Sequence, residues 1–578
     1  MSETLFDRPF ASMADLIASR ARERPDAPAF AYVPERGDER VALTFAQVEA
    51  RARAVAARLL EHAEPGDRAL LLFPPGLDCV VAFFACLLAG IVAVPLMVPR
   101  RTAARDFSVA ILADCTPRLL LTSAELVDSR PDLTDWFDRA GATWLVVDAQ
   151  DDVSPTAGAD GWAPSRNDLA LLQYTSGSTS TPKGVMVSHG NILANLEMIR
   201  RRMENPAGAV SVNWVPLYHD MGLMMGVMQP LYLGGLSVLL APASFIRRPL
   251  NWLRAIHDYR AAVTSAPNFA FDLCVSRFQP DAMQGMDLSC WQLALNGAEP
   301  IHADTIDRFN RTFAPYGLNP GTMYPGYGLA EATLLVTGSQ RGTGAVRRMV
   351  SRDSLRSGRA DPSWGTEDGQ CLVSSGRAVP DSRVVIVDPD TQTPMPPLVV
   401  GEVRVHGAHV AQGYWRNAEV SAETFPLSGD GPSTERALRT GDLGFVDDAG
   451  ELFLTGRIKD LIIIRGMNHY PADIERTVQD SHEALRRDCG SAFAVTDDSN
   501  VEKLVIVQEV ERTMRQSLDA EGLARVVREA VTKAHEIAVE AVVFIRPASL
   551  PKTTSGKIQR GLTRWLWTEG RLEVIGVG

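Results

Sequence analysis

Leu171–His189 reads LLQYTSGSTSTPKGVMVSH. The apolar run LALLQY has the length and composition of a buried strand, and it opens into a loop of glycine and small hydroxyl residues that ends at Lys183. Glycine lets a backbone approach a ligand closely. Successive amide N–H groups, with Ser and Thr hydroxyls, can wrap a polyphosphate, and lysine adds a point charge. The stretch does not match G-x-x-x-x-G-K-[ST], so it is not a Walker A loop. Taken alone, such a composition also describes an ordinary surface loop.

Outward from this point, amphipathic helical stretches alternate with short apolar strands. Phe45–His62 precedes Arg68–Phe73, and further strands are expected at Thr143–Asp148 and Ser237–Ala241. That alternation predicts α/β layers with largely parallel strands. Cys79–Pro99 carries no charge and is long enough to cross a bilayer. Gly90 and Pro95 divide it, however, into a buried helix with a glycine cap and a strand, so no transmembrane segment is expected. After about Gly376 short strands and turn residues predict a small β-rich unit. Arg341–Gln370 is polar and reads as an insertion or long loop, with Val346, Met349 and Val350 as a small apolar anchor. Near Asp460 a compact α+β unit begins: strand LIIIRG, helix PADIERTVQ, strands SAFAVTD and KLVIVQEV, helix GLARVVREAVTKAHE and strand AVVFIRP.

The 578 residues are 46% hydrophobic and 22% charged, which is ordinary for a globular chain and excludes a disordered or fibrous one. The net charge is −12, with no basic stripe, so no nucleic-acid partner is expected. Seven cysteines, at 79, 86, 115, 274, 290, 371 and 489, form no CxxC pair. They read as reduced thiols of a cytoplasmic protein. MSETLFDRPF has acids and no apolar core, so no signal peptide is expected.

TSGSTSTPKG resembles the phosphate loop of the adenylate-forming superfamily: acyl-CoA synthetases, peptide-synthetase adenylation domains and luciferases. Six further stretches resemble that superfamily's motifs in order. They are NWVPLYHDMGL (Asn213–Leu223), NGAEP (Asn296–Pro300), YPGYGLAEAT (Tyr324–Thr333), RTGDLGF (Arg439–Phe445), GRIKDLI (Gly456–Ile462) and LPKTTSGKIQR (Leu550–Arg560). Within the superfamily the resemblance is to fatty acyl-AMP ligases, carried by YHDMGLMMGVMQPLY, SAPNFAFDLC (Ser265–Cys274) and LFLTGRIKDLIIIRGMNHYPADIE (Leu452–Glu475). The segment Arg341–Gln370 sits where such ligases carry an insertion associated with denying free coenzyme A. Ser180 stands where the loop usually has Gly, which stiffens the turn.

The resemblance implies an α/β fold with a large N-terminal ATP- and acyl-binding domain (1–458). This would contain the insertion (341–370) and a β-rich subdomain (about 376–458). A hinge at Lys459 and Asp460 would lead to a small mobile α+β domain (461–578). Thr175, Ser176, Gly177, Ser178, Thr179 and Lys183 would form the phosphate loop. Glu331 would hold Mg²⁺, and Thr333 would hydrogen-bond the α-phosphate. Asn296, Gly297, Ala298, Glu299, Tyr327 and Gly328 would form the adenine site. Asp442 would accept the ribose hydroxyls, supported by Arg457. His219 would sit near the α-phosphate, and Lys557 would be the catalytic lysine.

Met221, Met224, Met225 and Met228 are spaced to share one helical face, and methionine adapts to a flexible alkyl chain. With Phe269, and Phe271 nearby, they are the expected acyl pocket. The implied reaction activates a fatty acid with ATP to an acyl-adenylate and pyrophosphate. The acyl group then passes to the phosphopantetheine thiol of an acyl carrier protein, or of a polyketide- or peptide-synthetase carrier domain. No [DH]-S-[LI] attachment signature occurs in the chain, so the carrier is expected to be separate. The alternatives are a fatty acyl-CoA synthetase and, more remotely, a catalytically silent adenylate-fold binding protein.

Overall fold

The computed structural model describes residues 6, 9–35, 41–99, 107–133, 141–148, 163–175, 182–363, 369–427, 436–464, 467–496, 502–517, 519–553 and 556–578. Among these residues the chain builds six sheets. One has six strands, in the order Thr143–Val146, Leu119–Thr122, Arg68–Leu72, Val92–Leu96, Leu169–Thr175 and Lys183–Ser188. It is parallel up to Leu169–Thr175, which then turns back as a hairpin onto Lys183–Ser188. The uncharged stretch is the helix Leu77–Ala89, capped by Gly90 in the left-handed conformation, followed by the strand Val92–Leu96. Among the described residues no helix is long and apolar enough to cross a membrane.

The second large sheet has a parallel centre: Met323–Gly328, Leu293–Gly297, Val263–Pro267, Ser211–Asn213, Ser237–Leu240 and Pro28–Val33. Antiparallel strands close both edges. Its parallel strands hand their C-terminal ends to the YHD, NFAF, NGAEP and YGLAEAT stretches, at the end of an α/β sheet where ligands bind. One hydrophobic core runs through both sheets and their helices. The β-rich unit is a four-stranded antiparallel sheet of Ser382–Val387, Gly401–Gly407, Ala437–Val446 and Leu452–Arg457.

The last unit pairs Leu485–Thr496, Glu502–Val510, Val539–Ile545 and Val574–Val577, with its own core. The helices Pro471–Ser481 and Ala520–His535 match the sequence expectation. The helix Arg560–Thr568 and the strand Val574–Val577 were not anticipated, since each is short and only one side of it is covered.

The insertion is more ordered than its polarity implied. Arg347–Ser351 pairs antiparallel with Gly369–Val373, and the helix Arg352–Arg356 follows the first strand. The expected anchor is right only at Val350. Val346 and Met349 are exposed: Met349 faces away from Val350 because successive residues on a strand face opposite sides, and Val346 lies before the strand begins. The apolar contact instead joins Val350, Leu355 and Ala360 to Phe445 and Phe453 of the β-rich sheet and to Tyr470 of the last unit. The Tyr470 hydroxyl donates to the Leu355 carbonyl at 3.3 Å, Arg356 donates to the Ala534 carbonyl at 3.0 Å, and Gln370 donates to Asp473 at 2.5 Å.

Leu355 is 2% exposed at this three-way contact. Leu355→Ala is expected to cost about 2–5 kcal/mol, the range for a buried leucine truncation. Thermal unfolding of the whole chain checks this; an unchanged midpoint would show that the insertion is not packed as described.

Candidate active site

Thr175 ends one strand and Lys183 begins the next, and the two face each other across the hairpin. Ser176, Gly177, Ser178 and Thr179 lie outside the described residues, as does Ser180. The Lys183 ammonium sits 5.1 Å over the Tyr414 ring, and the Tyr414 hydroxyl donates to Glu331 Oε1 at 2.8 Å. Tyr414 reaches this position because its segment extends the hairpin. Met186 N–H donates to the Gly413 carbonyl at 2.9 Å, and Trp415 N–H to the Gly184 carbonyl at 2.8 Å. Among the described residues no group of three His, Cys, Asp or Glu side chains stands ready for a metal ion. A hard cation beside Glu331 would take most ligands from phosphate and water, as Mg²⁺ does beside one or two carboxylates.

Thr333 occupies the centre of a tight three-residue turn, with φ 65° and ψ −55°, closed by Leu334 N–H donating to the Ala332 carbonyl at 2.7 Å. This form of γ-turn is rare and strained. The Thr333 hydroxyl donates to the His409 carbonyl at 2.7 Å, and its N–H to the Ala330 carbonyl at 2.9 Å. Phosphate oxygens only accept, so Thr333 as placed has no donor left for an α-phosphate. That contact needs its side chain to rotate away from His409. Gly328 packs flat against the same turn; a Cβ there would overlap the Leu334 carbonyl oxygen.

Asp442 is 6% exposed and held from two sides. The Tyr327 hydroxyl donates to Oδ2 at 2.6 Å, and Arg457 Nε donates to Oδ1 at 2.7 Å across paired strands. Burial and the Asp442 carboxylate push the Tyr327 phenol far up, and Asp442 raises Arg457. The carboxylate keeps acceptor capacity for a diol. Asn296 stands near the end of the strand Leu293–Gly297. It is fully buried, its amide donates to Asn268 Oδ1 at 3.2 Å, and its own Oδ1 has no protein partner. It can offer an adenine only main chain. Ala298 follows with φ 66°, and Glu299 accepts the Phe269 N–H at 2.6 Å.

Lys557 arrives from the last unit on a closed loop. Thr553 N–H donates to the Lys557 carbonyl at 2.7 Å, and Lys557 N–H to Thr553 Oγ1 at 3.0 Å. Gly556 supplies the φ of 89° that the loop needs beside Phe269; a Cβ there would stand 3.7 Å from its ring, an ordinary contact, so backbone conformation rather than space calls for glycine. Lys557 is exposed by area, yet protein crowds its ammonium. Burial and then Arg457 pull its pKa down, while Asp220, Asp442 and Glu299 pull it up. Glu299 is pushed up to about 7, mainly by burial, with the Phe269 N–H, Lys552 and Lys557 opposing. Three members of this constellation were missed in the sequence: Asp220, Lys552 and Tyr414. The first two lie inside quoted motifs, and no local signal marks Tyr414.

His219 is half-buried, precedes the helix Asp220–Leu223, and packs against Tyr218 with ring centroids 4.7 Å apart. Met224–Met228 is π-helical, and every residue from Met221 to Leu233 is buried. A π turn is wider than an α turn, so the four methionines depart from the single α-helical face that their spacing implied. Phe269 is half-buried and meets Trp214 edge-on at 6.1 Å. Phe271 is wholly buried against Trp252 and Phe309, as core.

The AMP-binding enzyme family matches residues 17–415, and the AMP domain of the Disco-interacting protein 2-like family matches residues 459–577. The chain is 40% identical to the medium-chain-fatty-acid–[acyl-carrier-protein] ligase JamA of Moorena producens, over 98% of this chain and 96% of that one. It is 40% identical to the long-chain-fatty-acid–AMP ligase FadD26 of Mycobacterium bovis, over 95% and 96%. The chain belongs to the fatty acyl-AMP ligases. A solved ligase of this kind is the fatty acyl-adenylate ligase from L. pneumophila, in complex with acyl adenylate and pyrophosphate. It matches at 35% identity and TM-score 0.73, over 100% of this chain and 99% of that one. The fold of this ligase is accordingly the adenylate-forming one, a large N-terminal region and a small C-terminal unit.

Glu299 supplies a pH test. An acid raised in the folded state is ionised first when unfolded, so its contribution to stability falls as pH rises from about 4.5 to about 7 and then levels. Glu299→Gln keeps the oxygen that accepts from Phe269 but removes the charge. Its melting temperature relative to the unmodified ligase is expected to climb across that window and stay higher above it. A constant offset across a pH series would contradict the assignment.

Proposed function

We propose that this ligase activates a fatty acid with ATP, releasing pyrophosphate, and passes the acyl group to the phosphopantetheine thiol of a separate acyl carrier protein. The observation that best supports this reading is the Lys557 loop of the last unit lying against Phe269, which brings the Lys557 ammonium within electrostatic reach of Asp220, Asp442, Glu299 and Arg457. A carboxylate resists attack at carbon, so it must act first as a nucleophile. Its oxygen attacks the α-phosphorus, and pyrophosphate leaves in line. Two anions have to approach each other, and preorganised cations at the point of contact lower that barrier most.

In this reading Lys557 bridges the carboxylate and α-phosphate oxygens, with Asp220 and Asp442 keeping it an ammonium. Lys183 meets the outer phosphates, with Thr175 and the loop residues 176–179 around them. Asp442 accepts the ribose hydroxyls while Tyr327 and Arg457 hold its carboxylate still. The backbone of Asn296–Glu299, with Gly328, forms the adenine slot. Glu331, steadied by Tyr414, would hold Mg²⁺, which when bound would neutralise phosphate charge. His219 lies at the α-phosphate end. The acyl chain runs toward Phe269 and the buried methionine segment.

For the second step, the thiol sulfur adds to the acyl carbon, the acyl–phosphate bond breaks, AMP departs and the thiol proton passes to water. Lys459 and Asp460 act as the hinge between the two steps, separating a large domain (1–458) from a small one (461–578). The insertion braces the small domain. A cytoplasmic setting fits the seven unpaired and mostly buried thiols.

Lys557→Ala is expected to lower fatty-acid-dependent exchange of pyrophosphate into ATP by about 10²–10³, with an unchanged melting temperature. Near-normal exchange would remove Lys557 from the chemistry. A product test decides the acceptor. With ATP, a fatty-acid panel and both acceptors present, mass spectrometry is expected to find carrier-bound acyl thioester and almost no acyl-CoA. Efficient acyl-CoA formation would make the chain a synthetase instead.

A further inference from the structure

Arg560 lies three residues beyond Lys557, at the root of the same loop. The loop is closed there by Gln559 N–H donating to the Pro551 carbonyl at 3.0 Å and by a bridge between Lys552 and Ile558. The Arg560 side chain is 18% exposed and grips two acids at once. Nε and Nη2 donate to the two oxygens of Glu475, each at 2.7 Å, and Nη1 donates to Asp460 Oδ2 at 3.1 Å. Glu475 is anchored in turn, accepting the Ala492 N–H at 2.9 Å. Asp460 ends the 3₁₀ turn Ile458–Asp460, where the large sheet region gives way to the last unit.

We propose that Arg560 is a positioning residue that clamps the hinge carboxylate of Asp460 and so holds the Lys557 loop in its adenylating pose. This rests on the reading of Lys459–Asp460 as the hinge of an adenylating enzyme. A planar guanidinium can serve two carboxylates at fixed angles, which a lysine cannot. Asp460 cannot change its own ψ without swinging its carboxylate away from Arg560. The bond therefore opposes rotation at that residue and ties the base of the Lys557 loop to the pivot. Formation of the adenylate needs the clamp closed; transfer of the acyl group needs it open. Glu475 then keeps the released Arg560 from being left as an unpaired buried charge.

Two variants test this with separate readouts. Asp460→Asn keeps size and the Arg560–Glu475 pair but weakens the hinge arm; Arg560→Lys keeps charge but loses the fork. Each is compared with the unmodified ligase in ATP–pyrophosphate exchange, in single-turnover transfer from preformed acyl-adenylate to a holo acyl carrier protein, and in thermal unfolding. Asp460→Asn is expected to slow exchange about tenfold, the size of one charge-assisted hydrogen bond, while transfer stays equal or quickens and the melting temperature holds. Arg560→Lys is expected to split the half-reactions in the same direction. The double variant should slow exchange less than the product of the two single effects, as shared contacts do. Equal loss of both half-reactions, no effect of Asp460→Asn, or a double variant at the full product would each overturn the clamp. An unmodified chain without fatty-acid-dependent exchange would instead overturn the adenylation reading, and the clamp with it.

Discussion

An ammonium has to be carried into a cleft by one part of the chain and held there against burial by another. Lys557 meets that constraint within electrostatic reach of three carboxylates, Asp220, Asp442 and Glu299, which favour its charge, and of the Arg457 guanidinium, which opposes it. Much of the surrounding structure follows from the need to bring it there. The loop that carries it is pinned by Thr553 and turned at Gly556, whose positive φ lays it against Phe269. Phe269 in turn is the second residue of the helix Asn268–Ser276, and its N–H holds Glu299. The geometry of the cleft is thus shared between two cores that are separate hydrophobic clusters.

The walls of the cleft store backbone strain. Ala298 and Thr333 both adopt positive φ without being glycine, a cost on the order of 1–3 kcal/mol each that persists only when neighbours over-determine it. The neighbours are visible. Beneath Ala298, Asn296 donates to Asn268, Asn268 to Thr305, and Thr305 to Asp272. Arg308 joins Asp272 to Asp304, and Asp304 is also paired with Arg476 of the last unit. Around Thr333, the His409 carbonyl and the flat surface of Gly328 leave the turn little room. A continuous polar network therefore links the floor of the cleft to the face of the unit that brings the lysine.

The insertion meets that same unit on its other side. Burial there raises Asp473 to about 7 and drives His469 to about 4 and His535 to about 3, with Arg356 adding to both histidine shifts. Both histidines are held neutral, and the seam joins polar contacts to a small apolar cluster. A seam of this composition resembles the more polar contacts between domains rather than a domain core. That suits a contact meant to be made and released. The apolar part, Leu355 against Phe445, Phe453 and Tyr470, is what makes the insertion a folded element despite its polar composition.

Alternating periods of hydrophobicity, with turn residues, sufficed to predict the α/β layers, the glycine-capped buried helix and a small β-rich unit, because each is a local consequence of which side chains leave water. The motifs likewise carried Lys183, Glu331, Asp442, Arg457 and Lys557, since their chemistry depends on residue type at short spacing. Tertiary structure decided what those side chains are free to do. Asn296 is spent inside a buried network, Thr333 spends its donor on His409, and Met221–Met228 departs from the α-helical period that a residue count assumes. Val350 is buried while its neighbour Met349 is not, because this part of the insertion is a paired strand rather than a loop. Tyr414 had no local signature, and the motifs that contain Asp220, Asp460 and Arg560 did not show which partners these residues meet. Each gains its role from a partner far away in sequence, and only packing brings such partners within hydrogen-bond reach.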